Sequence, residues 1–141
     1  MANVAYRQYG PDDVMFVVKS WIGSFRRSKW AGTLPNNKFP EYMGEAIRQL
    51  LTRGSKCLLA CNPDNPTQIL GFLVTEKTSR GEDVVHYIFT KDIYRKMGIA
   101  KGLLAEAELK QDGSVFYTHK TAYSKYFRGK WVPEISRRKE A

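Results

Sequence analysis

Apolar residues recur along the chain at two spacings, one typical of helices and the other of strands. The changes from one spacing to the other predict where the helices and strands lie. After a first strand candidate, "NVAYRQY", two stretches carry apolar side chains at helical spacing. The turn "PDD" caps the first, and Pro40 suits the first turn of the second, which Gly54 is placed to end. The apolar faces of these two predicted helices are Val14, Val17, Val18, Trp21, Ile22 and Phe25, and Met43, Ala46, Ile47, Leu50 and Leu51.

Three strand candidates follow the second helix, with a turn between each pair. They are "KCLLAC", "QILGFLVTE" and "EDVVHYIFT", and the turns are "NPDNPT" and "KTSRG". Beyond them the pattern predicts a helix from Gly98 to about Lys110, a short strand "SVFYTH", a short helix "AYSKYFRGK" and a last extended piece, "WVPEIS". The order β-α-α-β-β-β-α-β-α-(β) indicates the α/β (α+β) class, with a mixed, mostly antiparallel sheet flanked by helices.

The length of the chain and the hydropathy of its segments predict how many domains it forms and whether it enters a membrane. With 141 residues and no repeat or linker, the chain is predicted to form a single domain over residues 1–141. Its longest apolar run, Ile69 to Val74, is far below the roughly 20 residues that span a bilayer. The N-terminal residues lack the apolar core of a signal peptide. We therefore expect a cytoplasmic protein with no membrane segment.

The chain is strongly basic, and its charge is uneven. The formal net charge is +9; residues 1–90 hold 11 basic and 8 acidic side chains, while residues 91–141 hold 12 basic and 6 acidic ones. Such a field attracts anions, whether nucleotide phosphates, nucleic acid or acidic protein surfaces, and does not choose among them. The sequence offers no metal site, because its only cysteines, Cys57 and Cys61, have no companion histidines at ligand spacing.

The segment from Arg95 to Ala100 has the composition of an anion-binding loop. It follows a predicted strand and opens a predicted helix, whose first turn presents unpaired N–H groups and the positive end of the helix dipole. Gly98 lets a bulky diphosphate approach the backbone, and Lys91 and Lys101 add positive charge nearby. The pattern alone is common, so its context must decide between a phosphate site and an ordinary helix start.

The stretch "IFTKDIYRKMGIAKGLL" resembles the signature motif of the GNAT superfamily of acyl-CoA-dependent N-acyltransferases, small bacterial and phage members in particular. The resemblance covers about residues 68–110 and reaches Gly129 more loosely. Thr90 and Asp92 depart from the valine and proline that the family prefers. No Gly-Lys-[Ser/Thr] follows, which excludes a P-loop. The matching positions are Tyr94, Arg95, Gly98, Ile99, Ala100, Leu103 and Leu104.

The resemblance implies a co-substrate and the residues that hold it. Acetyl-CoA, or another acyl-CoA, would donate its acyl group directly to an amine of the acceptor, with no metal. The backbone of the preceding strand would pair with the pantetheine arm, and the loop amides would surround the pyrophosphate. The strand residues are Ile88, Phe89 and Thr90, and the loop residues are Arg95, Lys96, Met97, Gly98, Ile99 and Ala100, with Lys101 beside them.

Glu82 is the first candidate for a general base. It stands 13 residues before Arg95, an offset that resembles the base position of bacterial ribosomal-protein N-terminal acetyltransferases. The alternative is a solvated turn residue after Gly81. His86 is the second candidate, since a histidine near the substrate could also deprotonate an amine. Asp83 faces away from Glu82 by strand alternation.

Tyr126 is the candidate acid that would protonate the departing thiolate. Its segment, "AYSKYFRGKW", resembles the Ala-x-x-x-Tyr…Gly-aromatic pattern of the family. Gly129 follows after three residues where four are usual, and His119 occupies a place often held by asparagine. A slip of one residue would present Tyr123 instead, and an aromatic core helix is the structural alternative.

The end of the chain bears on the acceptor. Only 12 residues follow Gly129, so the C-terminal hairpin that usually walls the acceptor site in the family is predicted to be shortened. An open acceptor face suits a macromolecule such as a protein. A second subunit could also complete the site, which makes a homodimer the other expectation.

Two other functions stay open. Basic residues interleaved with an aromatic one suit nucleic-acid binding or modification, although no recognition motif accompanies them and this reading is not favoured. A GNAT-like scaffold without activity, serving as an interaction module, is the other. The basic and aromatic residues concerned are Arg26, Arg27, Lys29, Trp30, Arg137, Arg138 and Lys139.

Overall fold

A computed structural model describes residues 4–26, 39–95, 97–109, 115–118 and 129–132 of the chain. Its helices are α1 (Val14–Arg26), α2 (Phe39–Thr52) and α3 (Ile99–Glu106), and 3₁₀ turns cover Pro11–Asp13 and Asp92–Tyr94. Its strands are β1 (Ala5–Gln8), β2 (Lys56–Asn62), β3 (Asn65–Lys77), β4 (Asp83–Thr90), β5 (Val115–Tyr117) and β6 (Gly129–Trp131).

The six strands of the described residues form one mixed sheet in chain order, β1-β2-β3-β4-β5-β6. The first four are antiparallel, because short turns join β2 to β3 and β3 to β4. β5 runs parallel to β4 after the α3 crossover, and β6 runs parallel to β5. This sheet confirms the predicted fold class.

Helices cover both faces of the sheet. α1 and α2 pack on one face, where the Trp21 ring stacks on Tyr87 of β4 with centroids 4.8 Å apart. α3 packs on the other face, through Ile99, Leu103 and Leu104. The helical spacing of the sequence predicts these buried positions correctly, since a 3.6-residue period places them on a single side.

Two predicted elements differ from the structure. The helix expected to reach Lys110 ends at Glu106, because Glu108 adopts a left-handed backbone (φ 55°) that cannot continue a helix. Gly129 and Lys130, expected at the end of a helix, belong to β6. There Val132 N donates to Tyr117 O at 2.9 Å, so pairing with β5 holds this segment extended. The rest of that predicted helix lies outside the described residues.

None of the described helices is long and apolar enough to cross a bilayer. Cys57 and Cys61 are free and buried in β2. Burial raises the pKa of Cys57 to about 12, so its thiol is protonated and unreactive at neutral pH.

Candidate functional site

β4 contains a β-bulge at His86. Tyr87 pairs with Val74 of β3, but Val85 pairs with the next residue, Thr75, so two steps on β4 match one step on β3. The side chains agree, because Val85 and Ile88 both pack on the α3 face although they are three residues apart. Because of the extra residue, the N–H and C=O groups after His86 point to the opposite side of β4 from where an unbroken strand would place them.

β5 accompanies only the beginning of β4. Their register pairs Val84 with Phe116 and Val85 with Tyr117, and Thr118 N donates to Val85 O at 3.1 Å. Past that bond, no strand of the described residues pairs with β4 on the side away from β3. We call this side of residues 87–90 the open edge.

The open edge presents backbone groups of Ile88 and Thr90. Lys91 N donates to Leu70 O of β3 at 3.0 Å, so alternation points the N–H and C=O of Phe89 to β3 and those of Ile88 and Thr90 outward. The Thr90 side chain is buried, and its Oγ1 has no hydrogen-bond partner among the described residues. An extended chain carrying amides fits this edge, because it can pair as another strand would.

The segment after β4, residues 91–98, forms what we call the Gly98 loop. Gln68 Nε2 of β3 donates to the Tyr94 hydroxyl at 2.7 Å and so anchors the loop to the sheet. Arg95 pairs with Asp92 at 3.0 Å on the surface. Gly98 has a positive φ of 79°, and apart from its two chain neighbours no atom of the described residues lies within 4 Å of the position of a β-carbon. The loop therefore depends on glycine and leaves open space beside it.

The N-terminus of α3 completes an anion-binding arrangement. Its first intrahelical bond runs from Gly102 N to Gly98 O at 2.9 Å, so the N–H groups of Ile99 and Ala100 lie in the first turn, ahead of the intrahelical ladder. Ile99 and Ala100 turn their side chains into the core, while Met97 and Lys101 are exposed. A diphosphate at the end of the open edge fits here, because N–H donors, the helix dipole and glycine coincide. Lys96 lies outside the described residues.

Glu82 belongs to the β3–β4 turn and not to β4, where the sequence analysis places it. Thr78 Oγ1 donates to Glu82 Oε1 at 3.1 Å, and the backbone N–H of Thr78 donates to Glu82 O at 2.9 Å. Its half-buried carboxylate lies five residues before Tyr87, about 16 Å along the chain from where the open edge begins. Its neighbour Asp83 forms an ion pair with Lys77 at 3.1 Å.

His86 is fully buried at the bulge, and both ring nitrogens have partners. Nε2 lies 2.6 Å from Glu76 Oε1, and Nδ1 lies 3.0 Å from Thr118 Oγ1. Arg53 Nη2 forms a 2.8 Å ion pair with the same Glu76 oxygen. A carboxylate only accepts, so Nε2 carries the proton and Nδ1 of the neutral ring accepts from the Thr118 hydroxyl.

Burial and hydrogen bonding shift the pKa values of His86 and Glu76 in opposite directions. Burial lowers the pKa of His86 below its ordinary value, although Glu76 acts against it. Burial raises the pKa of Glu76, but the hydrogen bonds from His86 and Arg53 outweigh it and hold that pKa below its usual range. At neutral pH the network therefore contains a neutral imidazole, a carboxylate and a guanidinium.

The sequence analysis missed Arg53, Glu76 and Thr118. They lie far apart along the chain, and only polar residues within otherwise apolar strands hint at a partner. The structure unites them with His86 but leaves Glu82 outside the network. Tyr126, with Tyr123 and His119, lies outside the described residues, and so does the basic and aromatic set apart from Arg26 at the end of α1. Within the described ranges, no cluster of three or more His, Cys, Asp or Glu could hold a metal.

Comparison with known proteins supports the fold. No protein-family model and no curated protein sequence matches the chain. Solved structures do: a candidate acetyltransferase of Pyrococcus furiosus shares 18% identity and a TM-score of 0.65 over 99% of this chain and 94% of that one. A GNAT family acetyltransferase of Brucella melitensis in complex with acetyl-CoA shares 18% identity, with a TM-score of 0.62 over 89% and 82%.

The likeness does not extend over every neighbour's full length. A GNAT family acetyltransferase of Staphylococcus aureus shares 17% identity and a TM-score of 0.53 over 74% of this chain, which spans only 63% of that protein. At identities of 17–18%, these likenesses show a shared fold and nothing further. That fold is the one of the GNAT superfamily acetyltransferases.

Proposed function

We propose that this chain is an acyl-CoA-dependent N-acyltransferase that transfers an acetyl group from acetyl-CoA directly to an amine of its acceptor. One observation carries the proposal: the open edge of β4 leads into the Gly98 loop and the first turn of α3. Ile88 and Thr90 would pair with the amides of the pantetheine arm. The N–H groups around Gly98, with Arg95 and Lys101 beside them, would hold the pyrophosphate.

The proposed reaction needs two proton transfers. An aliphatic amine with a pKa near 10.4 is only about 0.04% neutral at pH 7, so a base must take its proton. The nitrogen then attacks the thioester carbonyl, an N–C bond forms, and the C–S bond breaks. The electron pair leaves on sulfur, and an acid supplies the proton that converts the thiolate to the free thiol. No covalent enzyme intermediate is required.

We propose Glu82 as the base and Tyr126 as the acid. The Glu82 carboxylate is half-buried and receives one side-chain hydrogen bond, from Thr78, so it keeps capacity to accept a proton. Its place beyond the end of the open edge suits the acceptor side of the reaction. The role of Tyr126 rests on the resemblance of its segment alone, since it lies outside the described residues.

The charge of the chain favours one class of acceptor. The basic C-terminal half favours a macromolecular amine, such as one on a protein, because a positive surface attracts acidic partners. A homodimer and a cytoplasmic location stay predictions.

The test is calorimetric titration of the protein with acetyl-CoA, with two matched variants. Gly98→Glu and Gly81→Glu place the same side chain at φ values of 79° and 80°, and both glycines are exposed with open surroundings. The backbone strain and the charge change are thus equal, and only Gly98 adjoins the proposed pyrophosphate site. We expect micromolar binding that Gly81→Glu retains and Gly98→Glu loses.

The other outcomes are equally informative. Equal weakening by both variants would attribute the effect to strain and contradict a pyrophosphate site at Gly98. A folded wild-type protein that does not bind acetyl-CoA would overturn the proposed function and leave a scaffold of this fold without its co-substrate. Steeply salt-dependent binding to DNA or RNA by that protein would then support a nucleic-acid function.

A further inference from the structure

The side-chain network around His86 lies where the β4–β5 ladder ends. The last backbone bond of that ladder runs from Thr118 N to Val85 O, and the next residue of β4, His86, takes a hydrogen bond from the side chain of the same Thr118. The opposite nitrogen of the ring bonds Glu76 on β3. One imidazole therefore connects the strand on each side of β4 at the point where the open edge begins.

The network is rigid because its buried members constrain one another. The His86 ring is fully buried, and the side chains of Arg53 and Glu76 are only 10% and 9% exposed. Rotation of the imidazole would leave a buried carboxylate and a buried hydroxyl without this partner, which is unfavourable at low dielectric. Thr118 is also held from the other side, since its carbonyl accepts from Trp131 Nε1 of β6 at 3.2 Å.

We infer that His86 and Thr118 are positioning residues that fix where β5 leaves β4, and so set the length of β4 that a pantetheine arm can use. This inference rests on the proposed function and deepens it. With the Thr118–His86 bond in place, the β4–β5 ladder of the described residues ends at Val85, and no described strand covers the outward groups of residues 87–90. Without it, the backbone bond from Thr118 N to Val85 O is left to hold the end of β5 at the bulge, and the arm meets an edge whose length is less sharply fixed. The Gly98 loop, at the far end of β4, is unaffected.

The inference predicts a selective loss of affinity, which two ligands can reveal. Acetyl-CoA uses both the open edge and the loop. 3′-Phosphoadenosine 5′-diphosphate keeps the nucleotide and the pyrophosphate but has no pantetheine arm. We expect Thr118→Val, which removes only the hydroxyl at nearly constant volume, to weaken acetyl-CoA binding by up to about tenfold, because binding of the arm must then restore the order that this hydrogen bond maintains in the free protein. Binding of the armless nucleotide should change by less than about twofold.

Two further variants control for structural damage. Thr118→Ser keeps the hydroxyl and should bind both ligands within about twofold of wild type. His86→Gln places an amide near the former Nε2, so it can still reach Glu76 but not Thr118, and it should reproduce the selective loss of Thr118→Val. Because it removes the same bond from the other side, it keeps the test decisive if Thr118→Val does not fold.

Each alternative result has a defined meaning. If wild type binds acetyl-CoA and folded Thr118→Val and His86→Gln bind it equally well, the inference is wrong and the proposed function stands. If these variants lower the affinities for acetyl-CoA and for the armless nucleotide by the same factor, the network supports the fold as a whole, and the inference is again wrong. If wild type does not bind acetyl-CoA, the proposed function fails and this inference fails with it.

Discussion

The hydroxyl of Tyr6 on β1 lies directly over Gly102 of α3, so closely that any β-carbon at position 102 would overlap it. The contact holds the second turn of α3 close to β1, which β2 and β3 separate from β4. Because α3 begins at the Gly98 loop, the height of this helix above the sheet also places the N–H groups of its first turn. A glycine inside a helix is unfavourable by itself, so the close approach explains its presence.

The pair predicts a mutational effect that changes sign. Gly102→Ala should destabilise the protein by about 1–2 kcal/mol, because overlap with the Tyr6 hydroxyl outweighs the helix propensity of alanine. In a Tyr6→Phe background the same change should stabilise by up to about 1 kcal/mol. Urea unfolding of the four proteins in this cycle measures both values. Gly102→Ala effects of the same sign and size in both backgrounds would show that the hydroxyl is not the obstacle.

Gly71 makes a tighter approach next to the proposed site. A β-carbon there would overlap Phe89 O and come within 3.2 Å of Ile99 Cγ2, so Gly71 sets the spacing of β3, β4 and the start of α3 together. We expect Gly71→Ala to destabilise by about 1–3 kcal/mol, because a backbone oxygen cannot move aside as a side chain can.

Gly44 of α2 offers the matched control for Gly71. A β-carbon at position 44 would meet mainly the flexible end of Arg48, at 3.3 Å. Gly44→Ala should therefore be neutral or stabilising by up to about 1 kcal/mol through helix propensity. Thermal unfolding of both variants tests the contrast, and a stable Gly71→Ala protein would contradict the tight packing at β3–β4.

Local patterns predict those parts of the fold that depend on neighbouring residues. The helical faces of α1 and α3 follow from the spacing of apolar residues, and the structure bears them out. The boundary at Glu82 is less accessible to such reasoning, because the hydrogen bonds of Thr78 decide that this residue belongs to the turn. Strand propensity alone would extend β4 over it.

The features that shape the candidate site are non-local. The bulge at His86 shows only in the register between β3 and β4, which no segment of the sequence encodes alone. His86 meets Thr118 across 32 residues of sequence, so a histidine that looks accessible on a strand pattern is in fact buried and bonded. The resemblance of residues 68–110 locates the proposed cofactor edge but says nothing of this network.

The charges around His86 predict how stability depends on pH. The pKa of His86 is lowered in the folded state by burial, with Glu76 opposing the shift and Arg53 adding to it. Below the unfolded value of about 6.5 the unfolded chain therefore binds a proton that the folded chain does not, and stability falls as pH falls. The slope from one proton is at most about 1.4 kcal/mol per pH unit.

Urea unfolding at pH 8, 6.5 and 5.5 measures this dependence. His86→Gln is the control, since it removes the titrating ring; we expect the loss of stability between pH 6.5 and 5.5 to be smaller in this variant than in wild type. The lowered pKa of Glu76, like that of Asp13, makes both proteins lose stability at more acidic pH, so the comparison stays above pH 5. Identical slopes for the two proteins would contradict a buried neutral His86.

Adjacent carboxylates allow the proposed base to be tested with a close control. Glu82→Gln should lower kcat by about 10²–10⁴, because its amide cannot take the proton of the amine, and should leave the Kd for acetyl-CoA unchanged. Asp83→Asn removes the neighbouring charge and its ion pair with Lys77. Because it removes no proposed catalytic group, it should reduce kcat by less than about twofold. Release of free CoA thiol, measured with an amine that supports turnover, reports both rates.

The pH profile separates catalysis from structure at this position. If Glu82 is the base, the acidic limb of the kcat profile disappears in Glu82→Gln. A role limited to the turn leaves that limb in place and lowers the melting temperature, because the bond from Thr78 then ends on a neutral amide oxygen and is weaker. Equal kcat for Glu82→Gln and wild type would show that the carboxylate serves the β3–β4 turn alone. The proton acceptor would then have to be a group outside the described residues or a water at the open edge.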